Sequence, residues 1–176
     1  MAISVPVREV GFEEWLAKIN SACGRFCART LGPGFSGAMQ EFRAHALRMS
    51  VVDATQTRLY RTQKEINRSD GSHFFTVFQL RGSSLMEQGD RQAVLSAGDV
   101  TLIDASRTSS FTFPTGLPPN LITDAAQLFR TVGTMARLSR QLVLGCMQDA
   151  QMSAPESEAI LSAVATLLRP ALVEPE

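Results

Sequence analysis

The side chains in this chain best equipped to hold a metal or attack a substrate are two histidines and three cysteines. Their spacing argues against both kinds of chemistry. His45 and His73 are the two histidines of the chain and stand in separate segments; with only two, a three-histidine site is impossible. A two-histidine, one-carboxylate site would need both to converge on an Asp or Glu. Hydrogen-bonded positions at strand edges suit them better. Cys23 and Cys27 lie four residues apart, on one face if that segment is helical. A structural metal wants about four ligands, and nothing nearby completes the set. With Cys146 they read as buried, reduced thiols. No Gly-x-Ser-x-Gly elbow, phosphate loop or Gly-x-Gly-x-x-Gly occurs. No catalytic residue, metal ligand or cofactor is therefore expected.

What remains is the chemistry of recognition. Phe74, Phe78, Phe111 and Phe113 can supply flat apolar walls, and Met86 an adaptable one. For any one of the aromatics, a place in the plain core is the commoner role. Arg61 and Asp104 are the candidate polar anchors: an aldehyde or carboxylate would prefer Arg61, an amine Asp104. Asp104 breaks the apolar parity of Val100 and Leu102, so its other reading is a carboxylate paired with Arg61 or Arg107, since buried charge is costly without a partner. Asp99 most simply caps its own turn.

Extended segments must position these groups. Phe74, Thr76, Phe78 and Leu80 share one parity, giving the strand from Phe74 a bulky apolar face. Gln88-Gly89-Asp90-Arg91 has the make-up of a hairpin turn, and Gly98-Asp99 marks another tight turn before Val100, Leu102 and Ile103. Strands joined by short turns predict a meander that must bury one face or close on itself. Upstream, Gly37 to Asp53 reads as a strand pair or one bent strand, Thr57, Leu59 and Arg61 alternate, and Lys64 to Gly71 reads as loop. Thr108 to Phe113 gives a last short strand.

Both ends of the chain have helical period. Phe12, Trp15, Leu16, Ile19, Cys23 and Phe26 predict an amphipathic helix over 11–26, with Glu13 and Glu14 in its first turn and Trp15 as its core anchor. Met135, Leu138, Leu142 and Cys146 form one C-terminal stripe. Ile160, Leu161, Val164, Leu167 and Leu168 form another, which Ser153-Ala-Pro-Glu156 caps and Pro170 ends. The two helices should form an antiparallel hairpin. A helix-turn-helix is excluded by the long loop from Gln148 to Pro155 and by helices that are not strongly basic.

The 176 residues hold 17 basic and 17 acidic side chains, a net charge of zero that argues against a dedicated nucleic-acid domain. The hydrophobic share, 44%, is enough for a real core. No run of 18 apolar residues exists and the first residues lack a signal-peptide pattern, so a cytoplasmic protein without a membrane span is expected.

Gly82, Met86-Glu87-Gln88, Leu95, Gly98-Asp99 and Leu102 to Arg107, with Tyr60-Arg61-Thr62 upstream, resemble the β-barrel sensor domain of AraC-type transcription regulators, most of all the FeaR group of activators of aromatic-amine catabolism. The resemblance runs from about Phe12 to the C-terminus. It departs after Phe113, where the family has an alternating strand and this chain runs from Pro114-Thr115-Gly116 straight into Leu117-Pro118. The resemblance implies an α+β fold: a cupin-like β-barrel (jelly roll) over 37–118, an N-terminal helical segment over 1–36 and a helical dimerisation segment over 119–176. It implies an activator's sensor domain that answers a small aromatic aldehyde or amine of phenylethylamine or tyramine catabolism. The domain would form a homodimer through its C-terminal helices and reach promoter DNA only through a further DNA-binding domain. Metal-binding cupins carry a clustered His-x-His that this chain lacks. The alternative function is a metal-free cupin-like enzyme of the isomerase class, which would need an acid–base pair with displaced pKa values inside the barrel.

Overall fold

Phe12, Trp15 and Ile19 recur at helical spacing and lie on helix α1 (Phe12–Cys23), where Trp15 and Ile19 are buried. In this computed structural model the described residues are 8–69, 73–114, 126–127, 130–131, 133–148 and 151–172. Helix α1 stops three residues before its expected end because Gly24 turns the chain at φ 93°. Phe26 therefore leaves the helix and enters the core from an extended segment.

Strands β1 (Cys27–Thr30), β2 (Ser36–Ala44), β3 (Leu47–Thr55) and β4 (Thr57–Arg61) follow. Thr62 then starts the short helix α2 (Gln63–Asn67), where a loop was expected. Next come β5 (Phe74–Phe78), β6 (Ser83–Gln88), β7 (Arg91–Ser96), β8 (Val100–Asp104) and β9 (Ser109–Phe113). Two short strands, β10 (Ala126–Gln127) and β11 (Arg130–Thr131), precede α3 (Thr134–Cys146) and α4 (Ala154–Leu172). Residues 115–125, where the sequence departs from the family pattern, lie outside those described.

The strands form a six-stranded sheet in the order β1-β4-β9-β6-β7-β10, a three-stranded sheet β11-β8-β5 and the hairpin β2-β3. This is a cupin-like β-barrel of jelly-roll type, with α1 at its N-terminal end and the antiparallel pair α3–α4 at its C-terminal end. Strand β1 pairs with β4, so sheet structure begins within the segment 1–36 read as helical; β10 and β11 lie within 119–176.

The expected meander is a jelly-roll crossing instead. Hairpin β6–β7 stays in the large sheet, while β5 and β8 on either side of it pair with each other in the small one. The turn at Gly98 (φ 99°) carries the chain between sheets. Gln79 holds that crossing: its N–H donates to Asp99 O at 2.9 Å, and its carbonyl accepts from Gly98 N at 2.8 Å. Asp99 caps the turn as expected, its Oδ2 accepting from Ser96 N at 2.8 Å.

Two apolar layers result. The barrel interior gathers Trp15, Ile19, Phe26, Leu59, Met86, Leu95, Ile103 and Phe111. Helix α1 presses closely on β2 there: a Cβ at Gly37 would lie 2.4 Å from the Phe35 ring and 2.9 Å from Trp15. Outside the small sheet, Val100 packs with Ala136, Val164 and Leu168 of the C-terminal helices. A third cluster, Leu47, Cys146 and Met152, joins the tip of hairpin β2–β3 to those helices. There Ser157, fully buried, accepts from Ala46 N at 3.2 Å and donates to Ala154 O at 2.8 Å. The capping box of α4 forms as read, with Glu156 Oε2 accepting from Ser153 N at 2.7 Å. The helix then continues past Pro170 to Leu172. No helix among the described residues is long and apolar enough to cross a membrane.

Candidate functional site

Strand β4 alternates: Thr57, Leu59 and Arg61 are buried, while Arg58 and Tyr60 face the other way and are half-buried. Register carries that alternation across the large sheet. Leu59 lies opposite Phe111, which lies opposite Met86, and these make an apolar layer inside the barrel. One step towards the rim, Arg61 lies opposite Ser109, which lies opposite Gln88. That second layer is polar and buried throughout.

Gln88 is satisfied. Its Nε2 donates to Asp104 O at 2.8 Å and its Oε1 accepts from Asp104 N at 3.1 Å, which ties the two sheets together. Arg61 and Ser109 are not satisfied. Arg61 is 2% exposed, its Nη2 donates to Ser69 Oγ at 3.2 Å, and its guanidinium lies 5.1 Å from the centroid of the Phe26 ring. Among the described residues its Nε and Nη1, and the Oγ of Ser109, have no hydrogen-bond partner, and Arg61 makes none of the ion pairs found there. Burial lowers the Arg61 pKa, and the nearby charge of Glu65 works against that shift.

Glu65 is itself committed to a cap. Its carboxylate accepts from Thr62 N at 2.8 Å and from the Thr62 hydroxyl, and the Cys27 thiol adds a further hydrogen bond. The hydrogen bond from the Thr62 hydroxyl comes first among the causes that pull its pKa down to about 2. A depressed carboxylate stabilises the fold above its unfolded value, near 4.5, and that contribution is lost as pH falls towards 2. Glu65→Ala should therefore cost about 1 kcal/mol at pH 7. The gap to the parent protein should narrow below about pH 4.5 in thermal melts; a gap constant with pH would remove the cap from the explanation. Burial first, then Glu65, pushes the Cys27 thiol up, and burial does the same for Cys23, as suits unreactive thiols.

A cleft of about 420 Å³ opens at this rim, lined by Arg29, Arg58, Tyr60, Arg61, Glu87 and Ser109 among others. Its outer wall is a hydrogen-bonded network. Arg58 Nη2 donates to Glu87 Oε2 at 3.3 Å and to Ser110 Oγ at 3.2 Å, and Ser110 Oγ donates to Glu87 Oε2 at 2.6 Å. Three arginines thus face one carboxylate that is already shared. Such a lining suits an oxygen-rich or anionic group.

The structure separates the residues singled out in the sequence. Arg61 lines the cleft; Met86 and Phe111 lie beneath it in the core, with Phe113 packed against them. Phe74 and Phe78 correct the parity assigned to β5. Phe74 is 62% exposed, and Phe78 packs outside the barrel against the layer under the C-terminal helices. Phe75 and Val77 point inward instead, Phe75 at 6.0 Å from Phe26. Asp104, paired with the exposed Phe74, shares the outward parity of β8, and its carboxylate accepts from Ser106 N at 2.9 Å and Ser106 Oγ at 2.6 Å. Ser106 holds its pKa below the ordinary carboxylate value. It caps a turn and does not face the interior. His45 sits at the tip of hairpin β2–β3 at φ 52°, and His73 packs edge-on to Phe75 at 4.8 Å. Among the described residues no three of His, Cys, Asp and Glu gather as metal ligands would. Tyr60, Arg58, Ser109 and Phe26 were missed as site residues. The alternation Thr57-Leu59-Arg61 already implied a second face carrying Arg58 and Tyr60.

A model of the AraC-binding-like domain matches residues 15–129. An uncharacterised protein in the nit 5' region of Bacillus sp. (strain OxB-1) is 30% identical over 97 residues, 54% of this chain and 38% of that relative, so the chain spans well under half its length. The crystal structure of the AraC-like transcriptional activator CuxR shares the fold, with a TM-score of 0.69 at 16% identity over 97% of this chain and 72% of that one.

Proposed function

This chain belongs to the AraC-binding-like domain family, and from that premise we propose that it is the effector-sensing part of an AraC-type transcriptional activator. One observation carries the proposal: a buried guanidinium with two unpartnered nitrogens lies beneath a cleft that its own residue lines, over a firmly packed aromatic core. Small-molecule sites have this form, a few fixed polar groups set against apolar surface. The effector is a small aromatic molecule whose ring lies on Tyr60 and whose polar head reaches Arg61. Asp104 does not serve as an amine anchor, because that carboxylate shares the outward parity of β8 and caps the turn at Ser106. The acids with lowered pKa values, Glu65, Asp104 and Glu156, are hydrogen-bonded within their own turns, which is how caps behave rather than acid–base catalysts. The activator works as a homodimer through the outer face of α3 and α4, and meets promoter DNA through a separate domain.

A thermal-shift screen of aromatic aldehydes, acids and amines tests the sensor reading. A true effector at about a hundredfold above its Kd adds about 2.7 kcal/mol, several degrees for a chain of this size. No shift from any member, together with salt-sensitive binding of promoter DNA by this chain alone, would sink it.

A further inference from the structure

Among the described residues the buried charged side chains are Arg61, Glu65 and Asp99, and of these Arg61 has nitrogens without a hydrogen-bond partner. Glu65 is held by Thr62, and the half-exposed Arg58 by Glu87 and Ser110. Arg61, more deeply buried than Arg58, makes no direct ion pair among the described residues, and the charge of Glu65 acts on it only from a distance. An unpaired buried ion costs several kcal/mol and persists only where something else compensates it. Its two open donors, Nε and Nη1, lie in the layer of a third unpartnered polar group, Ser109 Oγ, in register opposite, and both residues line the same cleft.

The hydrogen-bond inventory selects the ligand. The guanidinium groups are donors only, and the serine hydroxyl can donate. An ammonium head brings donors to donors and a second positive charge. An aldehyde brings one neutral oxygen. A carboxylate brings two oxygens, about four lone-pair sites and a negative charge, which suit the unpartnered donors of Arg61 and a lining of three arginines to one glutamate. We infer that the effector is a carboxylic acid in its ionised form, whose carboxylate supplies the counter-charge of Arg61 and accepts from Ser109. This rests on the sensor reading and adds the head group to it.

Phenylacetate, phenylacetaldehyde and phenylethylamine share a ring and chain length and differ only at the head. Titrated calorimetrically into the whole chain, phenylacetate should bind at least about thirtyfold more tightly than the other two, the scale on which a buried charge pair discriminates. Arg61→Met should lose at least about thirtyfold in phenylacetate affinity. Ser109→Ala should lose about three- to tenfold, the scale of one hydrogen bond. Circular dichroism must show both variants folded; Ser109→Ala keeps the test open if Arg61→Met is not. Aldehyde or amine binding as tight as the acid would overturn the inference while leaving the sensor reading in place. Undiminished phenylacetate affinity in both folded variants, displacement of phenylacetate by equimolar inorganic phosphate, or no binding by any of the three would also overturn it. The wider screen decides the sensor reading independently.

Discussion

Arg61→Met should raise the melting temperature of the ligand-free protein. A buried guanidinium without a direct ion pair is a liability, and replacing buried ionic groups by apolar ones of similar volume is often neutral or stabilising by about 1 to 4 kcal/mol. The losses are small by comparison: one hydrogen bond to Ser69 and a contact of 5.1 Å with the Phe26 ring. Methionine keeps an unbranched stem on the same path and a sulfur that favours aromatic neighbours. At about 2 to 4 °C per kcal/mol for a chain of this size, the gain should be several degrees in calorimetry. A purely structural arginine predicts the opposite sign. A fall of several degrees would mean that Arg61 is part of the scaffold and that its open donors are answered in some other way.

The second large effect concerns self-association. The C-terminal stripes divide cleanly. Ala136, Val164 and Leu168 are buried against Val100, and Leu142, Val143 and Ile160 pack beside them. Met135, Leu138 and Leu161 remain 41%, 38% and 43% exposed, among the largest apolar side chains left at the surface. In a dimer through this face, Leu138→Arg together with Leu161→Arg would bury two uncompensated charges per protomer, costing about 3 to 5 kcal/mol or more. Light scattering at tens of micromolar should then show dimers of the parent protein and monomers of the double variant. A parent protein already monomeric at that concentration removes the interface.

Some elements were plain in the sequence because one force set them. The helical stripes of α1, α3 and α4, the Ser153–Glu156 cap and the β6–β7 turn each follow from local period or local hydrogen bonding. The β5 face was misassigned for a physical reason. Phe74, Thr76 and Phe78 have the bulk expected of an interior, but Phe75 and Val77 alternate with them and are apolar too. When both parities of a strand are apolar, periodicity alone does not say which layer each will fill. That is settled by the helices covering the outer side, far away in sequence. The Gly98 turn looked like a hairpin because its residues suit one; the long-range pairing of β5 with β8 gave it another role. Arg61 was legible as an anchor, but its isolation was not. Knowing that Nε and Nη1 lack acceptors requires knowing that Glu65, four residues on, is already taken by Thr62. Phe26 was hidden by Gly24, whose positive φ ends the helix while the apolar spacing runs on.

The contact between Ser157 and the hairpin tip gives this fold an internal clock. A two-residue turn at the end of a hairpin ordinarily trades its amide protons with solvent quickly, since nothing covers them. At Ala46 the proton points into a buried hydroxyl on α4. It is released when that helix lifts away from Leu47 and its neighbours. Its exchange rate therefore follows the opening of the seam between barrel and C-terminal helices, and any event at the barrel that loosens or tightens that seam will be written in the lifetime of one proton.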